Sequence, residues 1–226
     1  MNDRQPTLLL TRPKQQSLEF LAACETKVGR RLPVVISPIL RIDMHSKPSD
    51  LSVYRTLILT SSNGVAACVD ALKGRQVVTV GERTKEAAAQ AGALATFLGK
   101  DADALVANAG KIKGPALHIR GRHTRGLIAQ RLRDAGLEVE EQVLYDQVSQ
   151  PLSQAALALL QSNSEIIAPV FSPRSAKLLS QAPSGANLRV IAMSEAVADA
   201  WSGKGEVDVL PLPTARDMVT HVLTYF

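Results

Sequence analysis

Two segments of the sequence carry small hydroxyl and amide side chains where an apolar run gives way to a helical pattern. Residues 60–64 follow the apolar run 56–59, and residues 172–175 follow the run 166–171. Ser and Asn at such a junction cap helices well, because their oxygens accept bonds from unpaired backbone N–H groups. The same N–H groups attract carboxylates and phosphates, and in an open α/β sheet they lie at the carboxyl edge of the strands. The two junctions therefore predict two edges around one anionic ligand, with helix capping as the alternative interpretation of each side chain.

The sequence repeats itself at a spacing of about 108 to 113 residues. Residues 76–87 match residues 189–200, each an apolar strand that leads into an Ala-rich helix, and residues 8–13 match residues 117–121. A repeat of this length has the size of a domain. It therefore predicts two similar α/β domains and argues against a solenoid.

Apolar strands alternate along the chain with helical patterns of about 10 to 15 residues, which predicts parallel sheets with helices on both faces. The predicted strands are 7–11, 34–37, 56–59, 77–80, 95–98, 116–119, 138–145, 166–171, 190–193 and 207–210. The predicted helices include 15–24, 101–109, 124–135 and 214–223. Gly136 is expected to end the third of these helices, because glycine is favoured just past a helix C-terminus.

Two extended segments, 37–44 and 142–149, continue past their core strands into polar residues, at equivalent places in the two halves. We expect them to form a two-stranded β ladder that joins two similar doubly wound parallel-sheet domains with a cleft between them. Domain 1 would be discontinuous, with residues 1–36 and 150–226. Domain 2, residues 45–141, would be inserted between these parts.

The charge of the chain favours an anionic partner. Lys and Arg number 26 against 21 Asp and Glu, which gives a formal net charge of +5. Aromatic residues are only 4% of the chain and no nucleic-acid-binding motif is present, so a small molecule with several carboxylates or phosphates fits better than nucleic acid. A mildly basic solvated surface is the alternative interpretation.

No apolar run approaches the roughly 18 residues of a membrane span and no signal-peptide pattern is present, which predicts a cytoplasmic protein without membrane contact.

The usual signatures of cofactor and metal chemistry are missing from the sequence. It has no phosphate-binding glycine loop, no dinucleotide fingerprint and no nucleophile elbow, and its 4 histidines do not cluster with Cys or carboxylates. We therefore expect neither a nucleotide cofactor nor metal catalysis. Cys24 and Cys68 lie on apolar faces of predicted helices, so they are interpreted as buried thiols rather than a disulfide or metal site.

A series of short motifs in the chain resembles the uroporphyrinogen-III synthase family in both order and spacing. The resemblance runs from residue 7 to about residue 220 and rests on Thr11-Arg12-Pro13, Ser37-Pro38, Thr60-Ser61-Ser62-Asn63-Gly64-Val65, Val80-Gly81-Glu82-Arg83-Thr84, Ile119-Arg120-Gly121, Ala135-Gly136-Leu137-Glu138-Val139, Val143-Leu144-Tyr145 and Phe171-Ser172-Pro173-Arg174-Ser175. It implies two α/β domains joined by a ladder, with a cleft between them, and no metal or organic cofactor.

The resemblance also implies an enzyme of haem biosynthesis. Members of the family are lyases that cyclise the linear tetrapyrrole hydroxymethylbilane, with inversion of the terminal pyrrole ring and loss of water, to uroporphyrinogen III. The enzyme is expected to be a monomer, and a transient handover of substrate from hydroxymethylbilane synthase is compatible with this scheme. The residues alone leave a different class open, namely a non-catalytic two-lobed binding module for a small polyanionic ligand.

Tyr145 is the expected catalytic residue, because it matches a family tyrosine proposed to assist the departing hydroxyl. Without the resemblance it would be interpreted as an amphipathic residue packed at a domain hinge. Thr84 matches a family threonine that holds a substrate carboxylate; Val197 stands in the corresponding place of the second half, where Ser194 could replace it. The expected substrate-binding residues, which are hydroxyls, an amide and arginines near strand ends, are Arg12, Ser61, Ser62, Asn63, Thr84, Arg120, Arg122, Ser172, Arg174, Ser175 and Ser194. Any single arginine could equally be a surface charge.

Overall fold

The structure is a computed structural model that describes residues 5–45, 48, 50–123, 126–183 and 187–226. The chain forms two compact units. Unit 1 consists of Met1–Arg41 and Ser149–Phe226, and unit 2 consists of Ile42–Val148. Each unit has its own sheet, so the predicted α/β class is confirmed. None of the helices in the described ranges has both the length and the apolar character needed to cross a membrane.

The elements follow one another in regular alternation. The strands are β1 (Thr7–Leu10), β2 (Val34–Ile36), β3 (Leu40–Met44), β4 (Thr56–Leu59), β5 (Gln76–Val80), β6 (Leu94–Gly99), β7 (Ala116–Gly121), β8 (Val139–Ser149), β9 (Ile166–Val170), β10 (Leu188–Ala192) and β11 (Glu206–Val209). The helices are α1 (Lys14–Val28), α2 (Ser62–Ala67), α3 (Glu82–Gln90), α4 (Ala102–Ala107), α5 (Ile128–Asp134), α6 (Gln154–Leu160), α7 (Pro173–Leu179), α8 (Glu195–Ala198) and α9 (Ala215–Val222). Every predicted strand is present.

The two sheets are built in the same way. In unit 1 the parallel order is β2-β1-β9-β10-β11, and in unit 2 it is β8-β7-β4-β5-β6 with β3 added beside β8. Replacing each strand of unit 1 by its counterpart in the sequence repeat converts the first order into the second. The five strands of each repeated order are parallel, but the side of the sheet to which the chain adds strands changes between β1 and β9 in unit 1 and between β4 and β7 in unit 2. In open α/β sheets ligands bind at the carboxyl ends of strands beside such a switch point.

Helices bury their apolar sides on both faces of each sheet. In unit 1, α6, α7 and α8 cover one face and α1 and α9 cover the other. In unit 2, α2 and α3 cover one face and α4 and α5 cover the other. Cys24 and Cys68 are buried free thiols, as predicted, and burial raises the pKa of Cys24 to about 12 and that of Cys68 to about 11.

Helix ends differ from the prediction where a residue with positive φ stands at the boundary. The first helix runs past Cys24 to Val28 and ends at Gly29, whose φ of 74° lies in the left-handed region that glycine adopts without strain. The predicted helix 124–135 begins only at Ile128, because Leu127 before it has a φ of 46°. Its predicted first residue lies outside the described residues. Gly136 follows the helix with a φ of 85°, as expected of a C-terminal glycine.

The two segments predicted to form a ladder contain β3 and the end of β8. These strands are neighbours in the six-stranded sheet, and β8 is a single continuous strand of 11 residues. The polar end of the predicted strand therefore continues the sheet of unit 2.

Candidate functional site

The ring of Tyr145 lies over the carboxyl end of β7, at the switch point of unit 2. A Cβ atom added to Gly121 would be 2.5 Å from Cε2 of this ring, and one added to Gly64 would be 4.0 Å from its Cε1. Tyr145 is only 6% exposed. Its hydroxyl forms no hydrogen bond to the residues that the structure describes. The aromatic ring is therefore held by its fit between two glycine backbones, which leaves the hydroxyl available to a ligand.

A register shift between β7 and β8 gives Tyr145 this direction. Arg120 pairs with Val143 and the next residue, Gly121, pairs with Tyr145, so that Leu144 is an extra residue on β8. Such bulges bend a strand and redirect its side chains, and they are frequent beside active sites. Past the bulge, the backbone N–H of Arg122 donates to the carbonyl oxygen of Tyr145 at 2.9 Å.

The hydroxyl and amide residues 61–63 lie at the start of α2, directly before Gly64. The Ser61 side chain caps the helix, since its oxygen accepts a bond from the Asn63 N–H at 3.2 Å. Ser62 and Asn63 occupy the first turn and are half-buried. The capping interpretation therefore describes Ser61, whereas Ser62 and Asn63 directly precede Gly64, the residue that approaches the Tyr145 ring.

Thr84 and Val197 occupy the same place in their helices, as the sequence repeat predicts. Each is the third residue, with its N–H bonded to the carbonyl of the residue before the helix, namely Gly81 at 3.2 Å and Ser194 at 2.9 Å. Thr84 is 6% exposed and Val197 is 2% exposed. Ser194 is the N-cap residue of α8, but its side chain forms no capping hydrogen bond.

The two candidate arginines of unit 2 already have carboxylate partners. Arg120 grips Glu141 with Nε and Nη2 at 3.1 and 2.9 Å, and these hydrogen bonds lower the pKa of Glu141. Arg122 is 63% exposed at its side chain and pairs through Nε with Asp146 at 2.9 Å. A substrate carboxylate would have to compete with Glu141 for Arg120, whereas the exposed Arg122 can bind an anion with its terminal nitrogens.

The carboxylate of Asp146 pairs with several basic side chains beside Tyr145. Besides Arg122, it pairs with Nε2 of His123 at 3.4 Å and with Nε2 of His45 at 3.8 Å. Sequence reasoning missed this cluster. Its signal was the position of Asp146 next to Tyr145, but the partners could be identified only with the register of β7 and β8. Within the described ranges, no three His, Cys or carboxylate residues form a group that could hold a metal ion.

The switch point of unit 1 brings Arg12 and Ser172 together around Phe171. The Arg12 guanidinium lies 4.2 Å from the centre of the Phe171 ring, and its Nε donates to Gln16 at 3.0 Å. Ser172 caps α7: its oxygen accepts from the Ser175 N–H at 3.1 Å, and the two hydroxyls are 2.9 Å apart. Arg174 lies half-buried in the first turn of the same helix. These side chains form a positively charged edge with hydroxyl groups, which suits carboxylates.

Comparisons with known proteins give one family and one fold. The family model described as Uroporphyrinogen-III synthase HemD matches residues 32–219. The crystal structure of uroporphyrinogen-III synthetase from Helicobacter pylori has a TM-score of 0.69 and 12% identity, covering 99% of this chain and 100% of that one. A mutant uroporphyrinogen III synthase from Thermus thermophilus has a TM-score of 0.52 and 13% identity, covering 97% and 98%. A search of curated proteins gave no match. At these identities the solved structures support the fold, and the family model carries the assignment.

Proposed function

The chain belongs to the uroporphyrinogen-III synthase family and is a cyclising lyase of tetrapyrrole biosynthesis, and we propose that it acts on hydroxymethylbilane with Tyr145 as the catalytic donor. The observation that carries the assignment is the family match over residues 32–219 of 226. The product is uroporphyrinogen III, in which the terminal pyrrole ring is inverted.

The reaction requires a leaving hydroxyl to depart at one end of the substrate. Loss of this group as water gives an electrophilic azafulvene. The substituted carbon of the terminal pyrrole ring, which is the ring that becomes inverted, attacks the azafulvene. The resulting spiro intermediate breaks a carbon–carbon bond and closes again with the ring inverted. Since the unassisted substrate closes to the type I isomer, the enzyme must both help the hydroxyl leave and hold the reacting ends in the inverting geometry.

Tyr145 suits the first of these tasks. A phenol is protonated at neutral pH and can donate a hydrogen bond to the departing oxygen, although it is a weak acid and its contribution is therefore partial. The ring is fixed against Gly121 and the hydroxyl has no partner among the described residues, so the donor can be directed at the substrate without breaking another bond.

Positive and hydroxyl groups at the carboxyl edge of each sheet suit the second task. Arg12 and Arg122 are the strongest candidates for substrate carboxylates, since Arg12 stacks on Phe171 and Arg122 is exposed. Arg120 ranks below them because Glu141 already binds its Nε and Nη2 groups. The remaining proposed contacts are Ser61, Ser62, Asn63, Thr84, Ser172, Arg174, Ser175 and Ser194.

The decisive experiment is the isomer ratio of the product. Purified protein is mixed with freshly generated hydroxymethylbilane, the product is oxidised, and type III and type I uroporphyrin are separated by chromatography. We expect mostly type III, formed faster than in a reaction without protein. Type I alone at the spontaneous rate, from a folded sample, would contradict the proposal and favour a two-lobed binder of small polyanions.

The setting of the reaction is part of the same proposal. We propose a cytoplasmic monomer that needs no metal or organic cofactor, with hydroxymethylbilane synthase as the source of the substrate. A short transfer would limit spontaneous closure to the type I isomer. Sedimentation of the protein alone tests the monomer, which predicts one species at about the monomer mass. Sedimentation with that synthase tests the handover, since a faster boundary only in the mixture supports a complex.

A further inference from the structure

The position of the Tyr145 ring depends on how the end of β7 is attached to β8. The ring rests on Gly121, and its hydroxyl provides no anchor among the described residues. The extra residue Leu144 interrupts the ladder just before this contact. Beyond the interruption the N–H of Arg122 donates to the carbonyl oxygen of Tyr145 at 2.9 Å. A bulge disrupts the ladder locally and bends the strand, so side-chain contacts add to what holds this end of β7 in place.

Asp146 supplies contacts of this kind on both sides of β8. Its side chain is 15% exposed, and it pairs with Arg122 and His123 from the segment after β7 and with His45 from the end of β3. Burial alone would raise the pKa of the Asp146 carboxyl, but the Gln147 N–H and the charges of Arg122 and His123 lower it overall. The group is therefore ionised at neutral pH and can keep its partners.

We infer that Asp146 is a positioning residue for Tyr145. It ties the segment that begins at Arg122 to β8 and so fixes the Gly121 backbone on which the catalytic ring lies. This inference rests on the proposed role of Tyr145 and adds a second residue to the same site. Ion pairs with exposed partners contribute little to global stability. Asp146→Asn should therefore fold normally, with the position of the Tyr145 ring changed.

Kinetics of single and double variants test the inference. Asp146→Asn should lower kcat about tenfold with KM unchanged, because a small misplacement of a catalytic group is costly to rate. Asp146→Glu, which keeps the charge, should recover most of this loss. In a Tyr145→Phe background, Asp146→Asn should have no further effect, since residues that act through one group are not additive. The matched control is Asp103→Asn, which removes an ion pair with Arg131 in unit 2 at a carboxylate that is 83% exposed.

A spectroscopic measurement separates the position of the ring from its catalytic role. The chain has 3 tyrosines, so 3-fluorotyrosine labelling gives a simple fluorine NMR spectrum in which Tyr145→Phe identifies the Tyr145 signal. Asp146→Asn should shift or broaden that signal and leave those of Tyr54 and Tyr225 in place, whereas Asp103→Asn should change none of the three.

The alternatives give different results. An unchanged fluorine signal, a higher KM with normal kcat, or an effect that multiplies with that of Tyr145→Phe would each overturn the inference. Full activity of Tyr145→Phe would refute the catalytic role of the phenol itself. In that case a changed fluorine signal in Asp146→Asn would still support the structural link between Asp146 and the ring.

Discussion

Tyr145 is held by the shape of its surroundings, because no described residue bonds its hydroxyl and the ring is clamped by backbone at Gly121 and Gly64. This arrangement separates the hydroxyl, which is proposed to act on the substrate, from the ring atoms that provide packing. The hydroxyl can therefore be removed, or the ring displaced, with different expected consequences.

Removing the hydroxyl should affect the reaction and leave the fold intact. Tyr145→Phe keeps the ring contacts, so the melting temperature should stay that of the parent protein. Turnover should fall about tenfold to a hundredfold, at or below the lower limit of general acid catalysis, because a phenol is a weak acid. Tyr54→Phe is the control, because the hydroxyl of Tyr54 donates at 2.7 Å to Glu140 on the surface. Equal turnover of the two variants would remove Tyr145 from the mechanism.

Displacing the ring should affect both activity and stability. In Gly121→Ala the new methyl group would lie 2.5 Å from Cε2 and 2.9 Å from Cζ of Tyr145, so the ring or the end of β7 must move. We expect turnover to fall at least as far as in Tyr145→Phe, and overpacking to cost about 1–3 kcal/mol of unfolding free energy. Steady-state kinetics and urea denaturation measure the two effects. Gly110→Ala is the control, since no atom lies within 4 Å of its added methyl group. A fully active Gly121→Ala would show that the ring position is not critical.

At the scale of elements, helix starts that look alike in sequence differ in what their serines do. Ser172 accepts a bond from the Ser175 N–H, whereas the side chain of Ser194 forms no such bond at the start of α8. A side chain that caps a helix contributes to stability, and one that does not remains available to a ligand.

This difference can be measured with two alanine variants of unit 1. Ser172→Ala should lower the unfolding free energy by about 1 kcal/mol, the usual value of a serine cap, whereas Ser194→Ala should change it by only a few tenths. If Ser194 contacts substrate, its variant should raise KM instead. Urea denaturation and steady-state kinetics of both variants check this. Equal destabilisation by the two substitutions would mean that the capping bonds do not distinguish these helices.

The sequence predicted the elements well because strand cores in both sheets are continuous apolar runs bounded by polar or glycine residues. It predicted element ends less well where a backbone conformation decides them, as at Leu127, whose positive φ has no signature in the residue type. The catalytic role predicted for Tyr145 depended on the family resemblance. Its contact with Gly121 and the cluster around Asp146 could not be predicted, because both depend on the one-residue register shift in β8.

At the scale of the whole molecule, one sheet order appears twice and its switch points carry different chemistry. Arg12 follows β1 in unit 1, and Gly121 ends its counterpart β7 in unit 2. The first places a cation on the Phe171 ring, and the second makes room for Tyr145. The repeated fold thus supplies one edge suited to binding an anion and another that holds the proposed proton donor.

The same repeat places a histidine where its counterpart strand has an apolar residue. His118 corresponds to Leu10, and both are buried, at 2% and 1% exposure. Neither ring nitrogen of His118 has a hydrogen-bond partner among the described residues. Burial lowers the pKa of His118 from 6.5 to about 4; Glu141 opposes this shift and Arg120 adds to it. The histidine is therefore neutral in the folded protein at pH values where it would be protonated in the unfolded chain.

Acid should therefore destabilise the protein through His118. Between about pH 7 and pH 4 the unfolded chain binds a proton that the folded chain excludes, so the unfolding free energy falls as the pH falls, by roughly 3 kcal/mol in all. Below about pH 4 both states are protonated and this contribution stops growing. His118→Leu, which installs the residue type found in the counterpart strand, should remove this slope. Urea denaturation at half-unit pH steps, followed by circular dichroism, measures the slope in the variant and the parent protein. Parallel curves for the two would show that protonation of His118 is not what links acid to unfolding.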